Sequence, residues 1–150
     1  MMNEDSPRVF LPPPLIFGGL LALGLLLDRD PLRFGPASIL GIALCVGGVG
    51  LTALALGLFR SSETRPEPWQ PARSLVNRGI YRFTRNPMYL GMAMLSLGIA
   101  MAFTSVPGAV LVSVALIIVD RVVVTREEAY LKRRFGQDYI AYMASVRRWL

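Results

Sequence analysis

Four apolar runs, separated by polar stretches rich in helix breakers, set the plan of the chain. The first, VFLPPPLIFGGLLALGLLL, runs from Val9 to Leu27 and stops at Asp28. Its prolines at 12–14 suit a helix start, where the missing N–H groups would lack partners anyway, so the predicted helix covers 13–27. DRDPLRFGP, from Asp28 to Pro36, reads as a short polar turn. The second run, 37–59, is long enough to cross the hydrocarbon at about 1.5 Å per residue. Within it, Ala43 with Gly47 and Ala53 with Gly57 fall at small-xxx-small spacing, which predicts a closely packed neighbour. The third and fourth runs, 88–104 and 106–124, are joined by the uncharged TSVPG turn and predict a helical hairpin whose far turn barely leaves the bilayer. Long unbroken runs, rather than alternation, indicate an all-α integral membrane protein with about four transmembrane helices in a single domain, 1–150.

The polar stretches complete the pattern. Between the second and third runs, SSETRPEPWQPA contains three prolines and is predicted to be irregular. It leads into RSLVNRGIYRFTRNPMYLG, Arg73 to Gly91, which is basic, aromatic and broken by Gly79 and Pro87. Asp120 and Arg121 interrupt the fourth run. They mark either the membrane interface, with Arg121 snorkelling outward, or a polar cavity. From Thr125 a polar helix continues out of the bilayer to a stop at Gly136. QDYIAYMASVRRWL then predicts a C-terminal interfacial amphipathic helix, with Gln137 or Asp138 near its N-cap and Tyr139, Tyr142, Met143 and Val146 on one side. Tyrosines in such a place read first as interfacial belt residues.

Because the third and fourth helices form a hairpin, both polar ends must lie on one side. Arg85, Asn86 and Tyr89 then face Asp120, Glu127 and Glu128, forming either a charge-paired clamp or a site drawn from 64–91 and 120–142.

Composition narrows the chemistry. Hydrophobic residues make up 53% of the chain, and the net charge is +6. The arginines crowd beside the apolar runs, which orients a membrane protein and removes the need for a nucleic-acid partner. The absence of histidine excludes Ser-His-Asp, Cys-His and H-E-x-x-H chemistry, and the single cysteine, Cys45, excludes an intrachain disulfide and the usual Cys/His metal site. A signal peptide is disfavoured, since no small-x-small cleavage site precedes Asp28-Arg29-Asp30. Charge asymmetry places both termini and the polar cluster in the cytoplasm, in what is expected to be a bacterial inner membrane.

Three motifs carry a resemblance. L-V-x-x-G-x-Y (Leu75 to Tyr81), R-x-P-x-Y-x-G (Arg85 to Gly91) and E-E-x-x-L-x-x-x-F-G-x-x-Y-x-x-Y (Glu127 to Tyr142) occur in order, with one hairpin between the second and third. In this the chain resembles the isoprenylcysteine carboxyl methyltransferases and their relatives, the small membrane phospholipid methyltransferases. The resemblance covers roughly the C-terminal half. It implies S-adenosylmethionine as cofactor, with contacts falling on Arg73, Ser74, Leu75, Val76, Tyr81, Asn86, Pro87, Met88, Tyr89 and Glu127. Arg85, Glu127 and Glu128 become the candidate catalytic residues, and Asp120, Arg121 and Arg126 the candidate substrate contacts. An arginine suits the cofactor carboxylate, Glu127 its ammonium or ribose, and tyrosines its adenine or sulfonium.

Two positions depart from the family pattern. Asn86 stands where histidine is common, which excludes a titrating group there. Val123 stands where the family places an arginine on its substrate carboxylate, and Arg121 or Arg126 replaces it only if the helix is rotated. The implied activity is methyl transfer to a lipophilic carboxylate, thiol or amine that reaches the site from the bilayer, with surrounding membrane lipids as the other partner. An NADPH-dependent sterol-type reductase and a non-catalytic scaffold that keeps the fold are the competing functions.

Overall fold

The computed structural model describes residues 11–30, 33–62, 72 and 74–150. The described residues form helices without strands. In order they are α1 (Pro13–Leu27), α2 (Ala37–Ser61), a 3-10 turn (Gly79–Arg82), α3 (Pro87–Ala102), α4 (Val106–Ile118), a π turn (Val119–Val124), α5 (Thr125–Phe135) and α6 (Gln137–Ser145).

Proline starts three of the apolar helices, since its fixed φ suits the first turn and its missing N–H costs nothing there. Pro13, Pro87 and Pro107 all occupy such positions. At α4 the cap is completed by Ser105, whose side chain accepts the Gly108 N–H at 3.1 Å. The turn before it places Thr104 at φ 51, and the Thr104 hydroxyl donates to the Arg33 carbonyl at 3.1 Å. Phe34 and Phe103 meet at this same end, 5.6 Å between ring centroids.

α3 lies at the centre. It packs against α2 on one side and against α1 and α4 on the other, while α1 packs chiefly on α4. The main core joins Ile16, Phe17 and Leu21 of α1 to Ala93 and Ala100 of α3, Val112 and Ala115 of α4, and Val119 and Val123 of the π turn. The α2–α3 contact is so close that backbones nearly touch. A Cβ on Gly48 would come 2.6 Å from both the Gly91 carbonyl and the Leu95 nitrogen, and one on Gly98 would meet Cys45. Gly41, Gly48 and Ala55 therefore form the contact face. The predicted pairs Ala43–Gly47 and Ala53–Gly57 lie on the exposed side of α2, because the seven-residue repeat, not the four-residue one, follows the seam with α3.

α2 and the continuous helix Val106–Phe135 are long and apolar enough to cross a membrane. Only 17% and 33% of their most apolar windows are buried, far from what the core helix of a soluble protein shows. Leu26, Ile39, Val46 and Leu54 of α2 and Ile117 of α4 stand exposed along these surfaces, as lipid-facing side chains do. α1 and α3, at 15 and 16 residues, are shorter apolar helices.

Candidate functional site

The α3 start and the α4–α5 end do converge. Asn86 holds the N-cap position of α3 but does not cap it; its side-chain amide donates instead to the Arg148 carbonyl at 2.9 Å. One turn further on, the Tyr89 hydroxyl donates to Glu127 Oε1 at 2.6 Å. Beside this pair, Arg85 Nη1 lies 3.0 Å from Glu128 Oε1, with side chains only 10% and 9% exposed. The hairpin thus brings Arg85, Asn86 and Tyr89 against Glu127 and Glu128.

A π turn sits immediately upstream of the acids. Such a turn holds one extra residue and rotates everything beyond it, and it recurs at functional sites. Here it buries Val123, 1% exposed, in the main core. Arg121 is left 79% exposed, 3.4 Å from Asp120, and Arg126 is also exposed. Rotation of the helix does not carry Arg121 into the core. Asp120 is turned inward and accepts from Arg148 Nη1 at 3.2 Å and from the Trp149 indole at 2.9 Å.

The segment 74–82 forms a second wall. Ser74 donates to the Ser62 carbonyl at 2.8 Å, and Arg78 Nη2 reaches the Ser61 carbonyl at 3.1 Å, closing the C-terminal end of α2 with a cation. Arg78 is therefore a helix cap as well as an orienting charge. Gly79, at φ +59, opens the 3-10 turn. Val76 and Tyr81 pack on Ala55 with Leu58, Phe59 and Met88 alongside, and the Tyr81 ring meets Phe59 edge-on at 5.6 Å. Leu75 turns the other way, toward Tyr139, Tyr142 and Val146. A groove of about 610 Å³ opens beside it, lined by Leu75, Asn77, Arg82, Asp138, Tyr142 and Val146 among others. Arg73, the first residue of the implied cofactor set, lies outside the described residues.

α6 starts as expected and differs in one respect. Its N-cap is Gly136 at φ 55, with Gln137 and Asp138 next to it in the first turn. Its tyrosine face is turned into the protein: Tyr139 and Tyr142 are buried, and the Tyr142 hydroxyl donates to the Tyr81 carbonyl at 2.7 Å. They are packing residues that brace the 3-10 turn, not belt residues. Burial pushes the Tyr139 phenol up to about 12 and raises Tyr142 as well, so both remain protonated donors. Tyr130 adds another brace by accepting the Ala72 N–H at 3.0 Å.

Glu127 is the group with unusual electrostatics. It sits past the apolar run, on the polar extension that begins at Thr125. Loss of water raises its carboxyl to about 7; the Tyr89 hydrogen bond opposes the rise and the neighbouring Glu128 adds to it. Asp120 and Glu128 are both in ion pairs, whereas Glu127 has none among the described residues. Arg85 in turn has Nε and Nη1 buried without a hydrogen bond, the charge contact with Glu128 notwithstanding. Glu127, an acid outside any ion pair among the described residues, and Arg85, whose Nε is buried without a hydrogen bond while Nη1 meets Glu128, together fit a zwitterionic amino-acid moiety.

Arg148 and Trp149 are the residues that sequence reasoning missed. Their only signal was position, two basic residues and a tryptophan ending an amphipathic helix.

A curated protein of Haemophilus influenzae, described as uncharacterized, is 38% identical over 39 residues, which is 26% of this chain and 62% of that protein. The chain therefore spans less than two thirds of that relative's length. No solved structure matches. The model of the phospholipid methyltransferase family matches residues 36–138, from the start of α2 through the acidic pair to the start of α6. With most of its length so matched, the chain belongs to the phospholipid methyltransferase family, a membrane methyltransferase family of the same group as the isoprenylcysteine carboxyl methyltransferases.

Proposed function

We propose that the protein is an S-adenosylmethionine-dependent methyltransferase that modifies a lipophilic acceptor entering from the bilayer. The observation that carries this is the convergence of Tyr89 and Glu127 beside the Arg85–Glu128 pair, with Glu127 outside any ion pair among the described residues and Arg85 Nε buried without a hydrogen bond. When bound, S-adenosylmethionine supplies a methyl group on a sulfonium, already activated for displacement. The chain's own contribution is to bind and orient. Arg85 suits the cofactor carboxylate, Glu127 its ammonium or ribose, and Val76, Tyr81 and Met88 an apolar wall. Pro87 fixes the α3 start that carries Tyr89, and Asn86 ties that start to the residue 148 carbonyl. Leu75 and Ser74 anchor the second wall to α6 and α2.

The acceptor side is read from the acidic helix. Val123 buried in the core removes the family arginine from that position, so a carboxyl acceptor has no cation there. Asp120 is occupied by Arg148 and Trp149, leaving Arg121 and Arg126 as outer contacts at the mouth. A thiolate or a carboxylate would need no base. An amine acceptor would have to lose a proton, and Glu127, with its carboxyl raised to about 7, is suited to take it where its cofactor contact is to the ribose and not to the ammonium. The transferring site and both termini face the cytoplasm in this reading, and four helices cross the membrane.

Calorimetry on the detergent-purified protein tests the assignment. S-adenosylmethionine binding is expected, weakened about tenfold or more by Glu127→Ala and by Tyr81→Ala. Absence of binding heat from the unmodified protein over a range of temperatures, together with an unmoved melting temperature, would sink it.

A further inference from the structure

After α6 the chain turns sharply at Val146, whose backbone is extended at φ −128 and ψ 132. This carries residues 147–149 back across the α3 start. The Arg147 carbonyl accepts the Arg85 N–H at 3.0 Å. The Arg148 carbonyl accepts from both Thr84 Oγ1, at 3.1 Å, and Asn86 Nδ2, at 2.9 Å. The Arg148 side chain then reaches the other wall. Nη2 and Nε grip the two Glu128 oxygens at 2.6 and 3.1 Å, and Nη1 meets Asp120 at 3.2 Å. Trp149 adds its own bond to Asp120 and packs on the main core.

We propose that Arg148 is the positioning residue of the site: with its carbonyl on the α3 start and its guanidinium on Asp120 and Glu128, it fixes the distance between Tyr89 and Glu127. The inference rests on reading this cluster as the methyl-transfer site, and adds a component that none of the three motifs contains. Three features support it. First, one residue ties three otherwise separate pieces, the segment 84–86, the π turn and α5, and no other described residue bonds to all three. Second, the grip on Glu128 is bidentate, the geometry that fixes orientation as well as charge. Third, three of the five guanidinium N–H groups are taken by the two acids, so Arg148 acts through them. With Arg85 it neutralises Glu128, so that Glu127 alone of the neighbouring acids stays unpaired.

The π turn explains why such a tie is needed. An extra residue in the helix weakens its regular hydrogen bonding just where the wall must be held. Asp120 lies within that turn and Glu128 one turn beyond it, so the Arg148 fork spans the irregularity.

The test uses the full chain in detergent, with Arg148→Met, Arg148→Lys and Trp149→Phe. Two quantities are read: the Kd for S-adenosylmethionine, and amide hydrogen exchange in the ligand-free protein. For Arg148→Met, exchange is expected to rise about tenfold or more in 83–92 and 119–128, while α1 and the middle of α2 stay unchanged. Its Kd is expected to rise about tenfold or more, because small displacements of binding groups have large effects. Arg148→Lys keeps the charge without the fork and is expected to fall between the two. Trp149→Phe, which removes one bond to Asp120, should show its exchange increase only in 119–128. Wild-type exchange and a Kd within about threefold in Arg148→Met would overturn the proposal, as would a uniform rise in exchange across all helices, which is general loss of stability. If the methionine variant does not fold, the lysine variant decides by the same two readings, unchanged values overturning the proposal. If the unmodified protein binds no S-adenosylmethionine, the functional assignment fails, and the exchange pattern still decides whether Arg148 holds the two walls together.

Discussion

Glu127 and Glu128 are adjacent in sequence and opposite in energetics, and the difference is measurable. Glu128 is held by Arg85 and Arg148, so its charge is compensated where it is buried. Removing one member of a buried ion pair leaves the rest uncompensated and costs about 3–5 kcal/mol, so Glu128→Gln is expected to lower the melting temperature clearly. Glu127 has only the Tyr89 hydroxyl, and its carboxyl is raised from 4.5 to about 7. A raised carboxyl makes the folded state bind more protons than the unfolded one between those two values. The stability it contributes is therefore present below pH 4.5 and is lost as the pH climbs through about 7. Glu127→Gln should flatten that part of a melting-temperature-against-pH curve and leave the protein near neutral pH as stable as before, or more so. A Glu127→Gln curve with the same slope as the unmodified protein between pH 5 and about 7 would refute the assignment. That the α3 start meets the acids was legible because a hairpin leaves its two polar ends nowhere else to go; which residue pairs with which was not. Nor was Arg148. Two arginines stand side by side after α6, and only the backbone turn at Val146 decides which of them enters the site.

At the scale of elements, the helix boundaries followed from proline placement and run length, while the faces did not. Two small-residue repeats run along α2, and nothing in their spacing says which one meets α3. The structure selects Gly41, Gly48 and Ala55 because Gly91 and Gly98 of α3 repeat with the same period of seven. Gly48→Ala is expected to force the two backbones apart at a cost of about 1–3 kcal/mol, lowering the melting temperature. Gly50→Ala, with open space around its Cβ position, should be neutral or stabilise by up to about 1 kcal/mol through helix propensity. Equal melting temperatures for the two variants would place the α2–α3 seam elsewhere. The π turn was equally hidden, since VDRVVV carries no signature of an extra residue. Deleting Val122, which is exposed, would restore a regular helix and turn α5 by about 100° relative to α4. Glu127 would then leave Tyr89. Such a deletion is expected to keep the helix content seen by circular dichroism while abolishing cofactor binding. Retention of full affinity would mean that the phase of α5 does not matter.

The whole molecule has two polar ends of different character, and this predicts an orientation in the membrane. One end joins the loop before α2 to the α3–α4 turn through Arg33 and Thr104, and carries Asp28 and Asp30 against Arg29 and Arg33. The other holds the site, together with Arg60, Arg78, Arg82, Arg85, Lys132, Arg133 and Arg134. By the positive-inside rule such an imbalance predicts that the site end faces the cytoplasm. It also bears on the number of spans, because α1 and α3 are only 15 and 16 residues long, about 22–24 Å against roughly 30 Å of hydrocarbon. Local thinning of the bilayer can absorb such a mismatch at modest cost. A single-cysteine experiment tests both points together. Cys45 is the native thiol, lying between α2 and Leu95 of α3, so Cys45→Ala gives a background in which the reporter is the introduced cysteine. Asp30→Cys and Lys132→Cys replace exposed side chains at the two ends. In intact spheroplasts an impermeant maleimide is expected to label position 30 and to spare position 132 until the membrane is opened. The reverse pattern would invert the protein. Labelling of both positions from one side would mean that an even number of spans separates them, and that the short α3 does not cross.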